Sequence, residues 1–162
     1  MLVDVSHLND GGCADVACLS RRPFFASHSN ARALRSMDRN LSDRTIHAIA
    51  ASGGMIGVNG YSGLVAGTSE GATVSALADH VDYLRARIGA RRLGLGLDLM
   101  ERISDGDGTF TSGGVTMAAF DILRDHSAVP DLLRELECRG YSPEERSGIA
   151  GANWVSFFTK WL

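Results

Sequence analysis

The sequence predicts an α/β fold of successive βα units around a parallel sheet. Three observations carry that prediction. Four short apolar runs, at 1–6, 23–27, 55–59 and 92–100, alternate with segments of helical periodicity. Their spacing, roughly 20 to 40 residues, is that of a strand, a crossover helix and the next parallel strand. Each run also delivers a polar group at or just after its C-terminal end: His7, His28, Asn59 and Asp98 in turn.

The elements follow in order. "MLVDVS" is a β-branched run bounded by polar residues and predicts a buried strand. "NDGGCADVACLSRR" has Asn and Asp early and arginines late, which suits a short helix. "PFFAS", opened by Pro23, is the second strand. In "NLSDRTIHAIAAS" either Asn40 or Ser42 caps a helix whose stripe is Ile46, Ile49 and Ala50, and Gly53–Gly54 ends it. "MIGVN" is the third strand. "TVSALADHVDYLRARIGA" is the clearest helix, with Val74, Leu77, Ala78, Val81, Leu84 and Ile88 on one face. "RLGLGLDLM" is the fourth strand, its glycines allowing close packing. A glycine-rich loop is expected over 104–114, then a helix in "VPDLLRELECRGYS" and an amphipathic helix within the last twenty residues.

Composition bounds the rest. A chain of 162 residues, 44% apolar and 22% charged, fits one globular domain over 1–162 with its own core. A net charge of −3 leaves no electrostatic footprint for nucleic acid. No run of about 18 apolar residues could span a membrane, and the first residues lack a signal-peptide pattern. Cys13, Cys18 and Cys138 show no C-x-x-C spacing, so they predict small buried or half-buried thiols, leaning to a reducing compartment such as the cytoplasm.

Parallel strands bring residues distant in sequence to one rim, where β/α barrels build their active sites. His7 and His28 both follow a serine at the end of an apolar run, so they can converge on one ligand. Two neutral imidazoles beside a carboxylate make a metal site, zinc being the commonest choice. The alternative is separate, hydrogen-bonded structural side chains. His47 and His80 fall in helices and are expected at the surface or core edge; His126 precedes a helix and carries no assigned role. Asp105 and Asp107 faintly resemble a calcium loop but lack its later ligands.

Residues beyond these pairs carry a resemblance. "DVSHLND", "FASHSNARAL", "RNLSD", "GGMIGVN", "LADHVDYL", "LGLGLD", "RGYSPEE" and "GIAGANW" resemble, in order, successive motifs of the membrane (renal-type) dipeptidase family. These are zinc peptidases with an amidohydrolase-like (β/α)8 TIM barrel. The resemblance implies about the last four βα units of that barrel plus C-terminal helices. It implies zinc-dependent hydrolysis of a dipeptide substrate by metal-activated water. His7 and His28 fall where the family places two histidines on one zinc of a binuclear pair. Arg39 matches the arginine that holds the substrate carboxylate, with Asn59 beside it as a second substrate-binding candidate; Asp98 matches the carboxylate that handles the proton. Without the motif, Arg39 would be read as a surface partner of Asp38 or Asp43, and Asp98 as a structural carboxylate.

The departures matter equally. The family's early His-x-Asp pair, its bridging glutamate and its carbonyl-polarising histidine have no counterpart in the 162 residues. "LDLME" stands where the family reads Asp-Phe-Asp-Gly, and "GANW" has alanine where it prefers glycine. Three readings follow: part of a metallodipeptidase with impaired activity alone; a half-barrel completed by an N-terminal partner chain or a homodimer; or a non-catalytic half-barrel that binds metal or protein. A homodimer alone does not supply the missing ligands.

Overall fold

The structure, a computed structural model, describes residues 1–99, 109–112, 115–118 and 120–162. In chain order the elements are β1 (Val3–Asp4), α1 (Asp10–Leu19), β2 (Phe24–Phe25), α2 (Asp43–Ser52), β3 (Ile56–Val58), α3 (Ser62–Val65) and α4 (Val74–Ile88). There follow β4 (Leu93–Leu95), β5 (Thr109–Ser112), β6 (Val115–Ala118), α5 (Val129–Cys138), α6 (Pro143–Ser147) and α7 (Asn153–Trp161). No helix among the described residues is long and apolar enough to cross a membrane.

The first four strands run parallel in the order of the chain, as the βα alternation predicts. β1 pairs with β2, Val3 opposite Phe24, and β3 pairs with β4, Gly57 opposite Gly94. A parallel bridge between Ala26 and Ile56 joins the two pairs; Ala26 N–H donates to the Met55 carbonyl at 3.0 Å and Gly57 N–H to the Ala26 carbonyl at 2.8 Å. The regular ladders are shorter than the apolar runs.

The helices begin where their capping chemistry says. Asn9 accepts from Gly12 N–H ahead of α1, and Ser42, not Asn40, accepts from Thr45 N–H ahead of α2. Thr73 does the same for α4. The α4 stripe of Leu77, Ala78, Val81 and Leu84 is fully buried, packed with Ile46, Ile49, Ile56 and Leu93 in one core between helices and sheet.

Three expectations change. His80 is not at the surface or core edge: it is 1% exposed in the α4 stripe, accepting from Ala31 N–H and donating to the Val65 carbonyl, both at 3.1 Å. A neutral ring with donor and acceptor both satisfied is what burial demands. Cys13 is buried as expected, but Cys18 and Cys138 are exposed, lying on the solvent sides of α1 and α5. The later part of the glycine-rich loop holds an antiparallel hairpin, β5 with β6, Thr109 opposite Ala118. Threonine, phenylalanine and valine on either side of two glycines favour that over a loop. Asp105 and Asp107 lie outside the described residues.

The terminal helix is interrupted. Ser142 and Glu145 form a capping box that starts α6, and a π-helical turn at Gly148–Ala152 separates α6 from α7. Asn153 is pinned there, its Nδ2 donating to the carbonyls of Ala90 and Leu93 at 2.9 and 2.8 Å.

Register shows which face α7 covers. Ala26 and Ile56 face the helices, so Phe25, Gly57 and Gly94 face the other way, toward what would be the axis of a closed barrel. Trp154 lies on that inner face: a Cβ at Gly94 would overlap its indole, whose Nε1–H donates to the Leu95 carbonyl at 3.1 Å. Phe25 meets Trp154, Phe157 and Phe158 edge-on, with ring centres 5.7 to 5.9 Å apart. Trp154 and Phe158 stack at 5.4 Å.

Candidate functional site

The strand ends converge as the sequence predicts. His7 follows β1 and His28 follows β2, and their Nε2 atoms lie 2.9 Å apart. Arg39 reaches the same point, its Nη2 2.9 Å from His7 Nε2. It does not pair with Asp43, whose carboxylate takes Arg87 and Tyr83 instead. Beyond β3, Asn59 Nδ2 donates to Asp98 Oδ2 at 3.2 Å, so Asn59 and Asp98 form a second pair on the rim.

The two serine–histidine segments are alike in sequence and different in work. Ser27 Oγ lies 2.6 Å from His28 Nδ1 and fixes one nitrogen of the ring. Ser6 instead reaches across: its Oγ accepts the backbone N–H of His28 at 3.1 Å. Beneath both, Asp4 Oδ1 accepts Ser6 N–H at 2.9 Å and Ser27 N–H at 3.0 Å. Burial pushes the Asp4 carboxyl up, but the hydrogen bonds from Ser27 and Ser6 outweigh it and leave the pKa below its usual value.

Glycines clear the way for His28. A Cβ on Gly57 or Gly96 would overlap the Ser27 carbonyl, and at Gly96 it would also press on His28 Cα at 3.1 Å. The segment after β2 therefore folds inward over β3 and β4, and only glycine leaves room for it there.

Backbone strain marks the same residues. Among the described non-glycine residues the positive φ angles belong to His7 (+74°) and Asp98 (+56°). Val5 carbonyl accepts from Leu8 N–H at 3.0 Å, so His7 sits at the third position of a tight turn, where glycine is usual. Such conformations cost on the order of 1 kcal/mol and cluster at functional sites.

Electrostatically the rim is mixed. Burial lowers the His28 pKa, Asp98 opposes that, and Arg39 and His7 reinforce it, so the ring is held neutral near pH 7. Burial lowers the Arg39 pKa while Asp98 and Asp4 raise it. Asn59 is fully buried; its Oδ1 accepts Tyr61 N–H at 2.7 Å, and its backbone bonds to the Asn30 side chain in both directions at 3.0 Å. Its amide thus orients Asp98.

Two imidazole nitrogens bound tetrahedrally to one zinc at about 2.0–2.1 Å lie about 3.3 Å apart, so the 2.9 Å His7–His28 separation needs to open by only a few tenths of an ångström to hold a shared ion. The Ser27 contact supports the fit, because it occupies Nδ1 and leaves Nε2 as the coordinating atom. Among the described residues no cluster of three or more His, Cys, Asp or Glu side chains with ligand geometry occurs.

Sequence reasoning missed Asp4, Ser6 and Asn30. The signal for Ser6 was present, since the Ser-His pair occurs twice; nothing in the sequence points from Asp4 to residue 27.

Known proteins share the sequence pattern and fold of this chain. The profile of Membrane dipeptidase (Peptidase family M19) matches residues 1–160. An uncharacterized protein in the pqqA 5′ region of Klebsiella pneumoniae is 34% identical over 96% of this chain and 53% of its own length. Dipeptidase 3 of Homo sapiens is 32% identical over 98% of this chain and 29% of its own. A solved metallo peptidase from Rhodobacter sphaeroides, liganded with a phosphinate mimic of the dipeptide L-Ala-D-Ala, superposes with a TM-score of 0.77 at 28% identity. That match covers 98% of this chain and 42% of the other. The chain thus spans between 29% and 53% of the length of these relatives. With the family's profile running through nearly every residue and its parallel βα architecture in place, the chain belongs to the membrane dipeptidase family of metallopeptidases, M19.

Proposed function

We propose that this chain forms the C-terminal half of a zinc dipeptidase barrel and supplies part of a binuclear hydrolytic site. One observation carries the reading: the His7 and His28 Nε2 atoms meet at 2.9 Å on a rim that also holds Arg39 and the Asn59–Asp98 pair.

His7 and His28 would hold one zinc. Zinc supplies Lewis acidity and lowers the pKa of water at neutral pH. Arg39 offers a planar guanidinium fork, suited to the C-terminal carboxylate of a dipeptide. Asp98 keeps Oδ2 on the Asn59 amide, which leaves Oδ1 to take a proton and pass it to the leaving amine. Asn59 acts through Asp98, not on the substrate directly. The remaining donors of a binuclear pair belong to the half of the barrel that the longer relatives contain and this alignment does not reach, whether on the same or a partner chain.

The test is zinc binding and turnover measured side by side. Purified chain should bind zinc, and His7→Ala or His28→Ala should abolish binding. Hydrolysis of L-Ala-D-Ala should appear only when the other barrel half is co-expressed, and should vanish again with either substitution. Turnover that survives both histidine substitutions would exclude this site. Zinc binding that the other half never converts to turnover would favour a non-catalytic metal-binding module.

A further inference from the structure

We propose that Asp4 is the positioning residue for the His7–His28 pair, with a single oxygen, Oδ1, holding the backbone of both serine–histidine segments. The proposal rests on the functional reading above only for what the pair binds.

The residue immediately before each histidine donates its N–H to the same atom: Ser6 at 2.9 Å and Ser27 at 3.0 Å. The first bond holds Ser6 inside the Val5–Leu8 turn that carries His7 in its left-handed conformation. The second crosses from β1 to the end of β2 and sets where the next segment turns inward. Ser6, once held, offers its Oγ to His28 N–H at 3.1 Å, and Ser27, once held, puts its Oγ 2.6 Å from His28 Nδ1. Four short bonds thus lead from one carboxylate to the His28 ring and to the backbone that carries His7. Asp4 itself touches neither imidazole through any of them. An alanine at position 4 would leave Ser6 N–H and Ser27 N–H without this acceptor, while an asparagine keeps an oxygen at Oδ1 and loses only the charge.

The test uses the full chain, with zinc chloride as probe, in wild type, Asp4→Ala and Asp4→Asn. Zinc affinity is measured by calorimetry, and exchange of the Ser6 and Ser27 amides by NMR. Asp4→Ala should weaken zinc binding by about tenfold or more and speed exchange at both amides, while Asp4→Asn stays within about threefold of wild type. Wild-type affinity and exchange in Asp4→Ala would overturn the proposal, as would an Asp4→Asn variant as weak as Asp4→Ala.

If wild type binds no zinc, the functional reading fails. Asp4 is then judged on the two amides and on the ring-to-ring NOE between His7 and His28. Their loss in Asp4→Ala supports the role and their retention overturns it. Should Asp4→Ala not fold, Ser6→Ala replaces it, since it removes the acceptor for His28 N–H, along with longer hydroxyl contacts to Ser27 and Ser29, and leaves the Asp4 carboxylate in place. Faster exchange at His28 with weaker zinc binding supports the relay, and wild-type behaviour overturns it.

Discussion

The inner face of the sheet ends above in a polar rim and below in an aromatic floor, and different forces hold the two. The rim places His7, His28, Asn59 and Asp98 by directional bonds from Asp4, Ser6, Ser27 and Asn30, with left-handed backbone at two of its residues. The floor places Phe25, Trp154, Phe157 and Phe158 by ring contact alone, apart from the single indole bond to Leu95. Burial is non-directional and contributes stability; a hydrogen-bond relay contributes geometry and little net stability. Stability and ligand binding should therefore separate along this face.

The largest effect belongs to the floor. Trp154→Ala removes the ring that bridges Phe25, Phe158 and β4, and should cost about 3 kcal/mol of folding stability in denaturant titration. Zinc affinity of the fraction that stays folded should be unchanged. A fall in that affinity would show that the rim depends on the floor and break the comparison.

Gly96→Ala sits where the regions meet, and it should be the change that damages both. Its Cβ would overlap the Ser27 carbonyl and crowd His28 Cα, so backbone must move. Overpacking of this kind costs about 2 kcal/mol. Zinc affinity should fall with it, because the displaced segment carries His28. Lost stability with intact zinc binding would mean the inward fold of that segment is not what places the ring.

His80 sharpens the comparison from a third place, the helix core. Burial lowers its pKa, while the Val65 carbonyl and Asp79 oppose that, so the folded state binds the proton less well than the unfolded chain. Stability from the neutral ring is complete above the unfolded value of about 6.5 and is lost as pH falls below it. Thermal midpoints should decline below that pH in wild type, and the decline should shrink in His80→Gln.

Much of the rim was legible in the sequence, because strand periodicity and the polar residue ending each run are local patterns. His7, His28, Asn59 and Asp98 could be placed on one edge from those alone. Asp4 could not. It is an exposed carboxylate on a two-residue strand, and its partner at Ser27 is set by register between strands. The glycines of "LGLGLD" signalled close packing without saying against what. His80 had a readable signal that was passed over: it falls three residues after Leu77 and four before Leu84, on the buried stripe. In α7 amphipathicity was visible, but which face of the sheet it covers follows only from the pairing of Gly57 with Gly94.

The smallest effect runs opposite in sign, and it tests whether the rim gives up stability for geometry. His7 holds φ at +74°, a conformation glycine adopts without the steric cost an imidazole-bearing residue meets. Relief of that strain, about 1–2 kcal/mol, is partly offset by the entropy glycine adds to the unfolded chain. His7→Gly should therefore gain roughly 0.5 kcal/mol of stability while losing zinc binding altogether. His7 contributes no buried ring to the core, so little packing is lost in exchange. A destabilised His7→Gly would mean that the imidazole's contacts with His28 and Arg39 outweigh the strain of its turn, and the rim would then hold itself together by more than the relay beneath it.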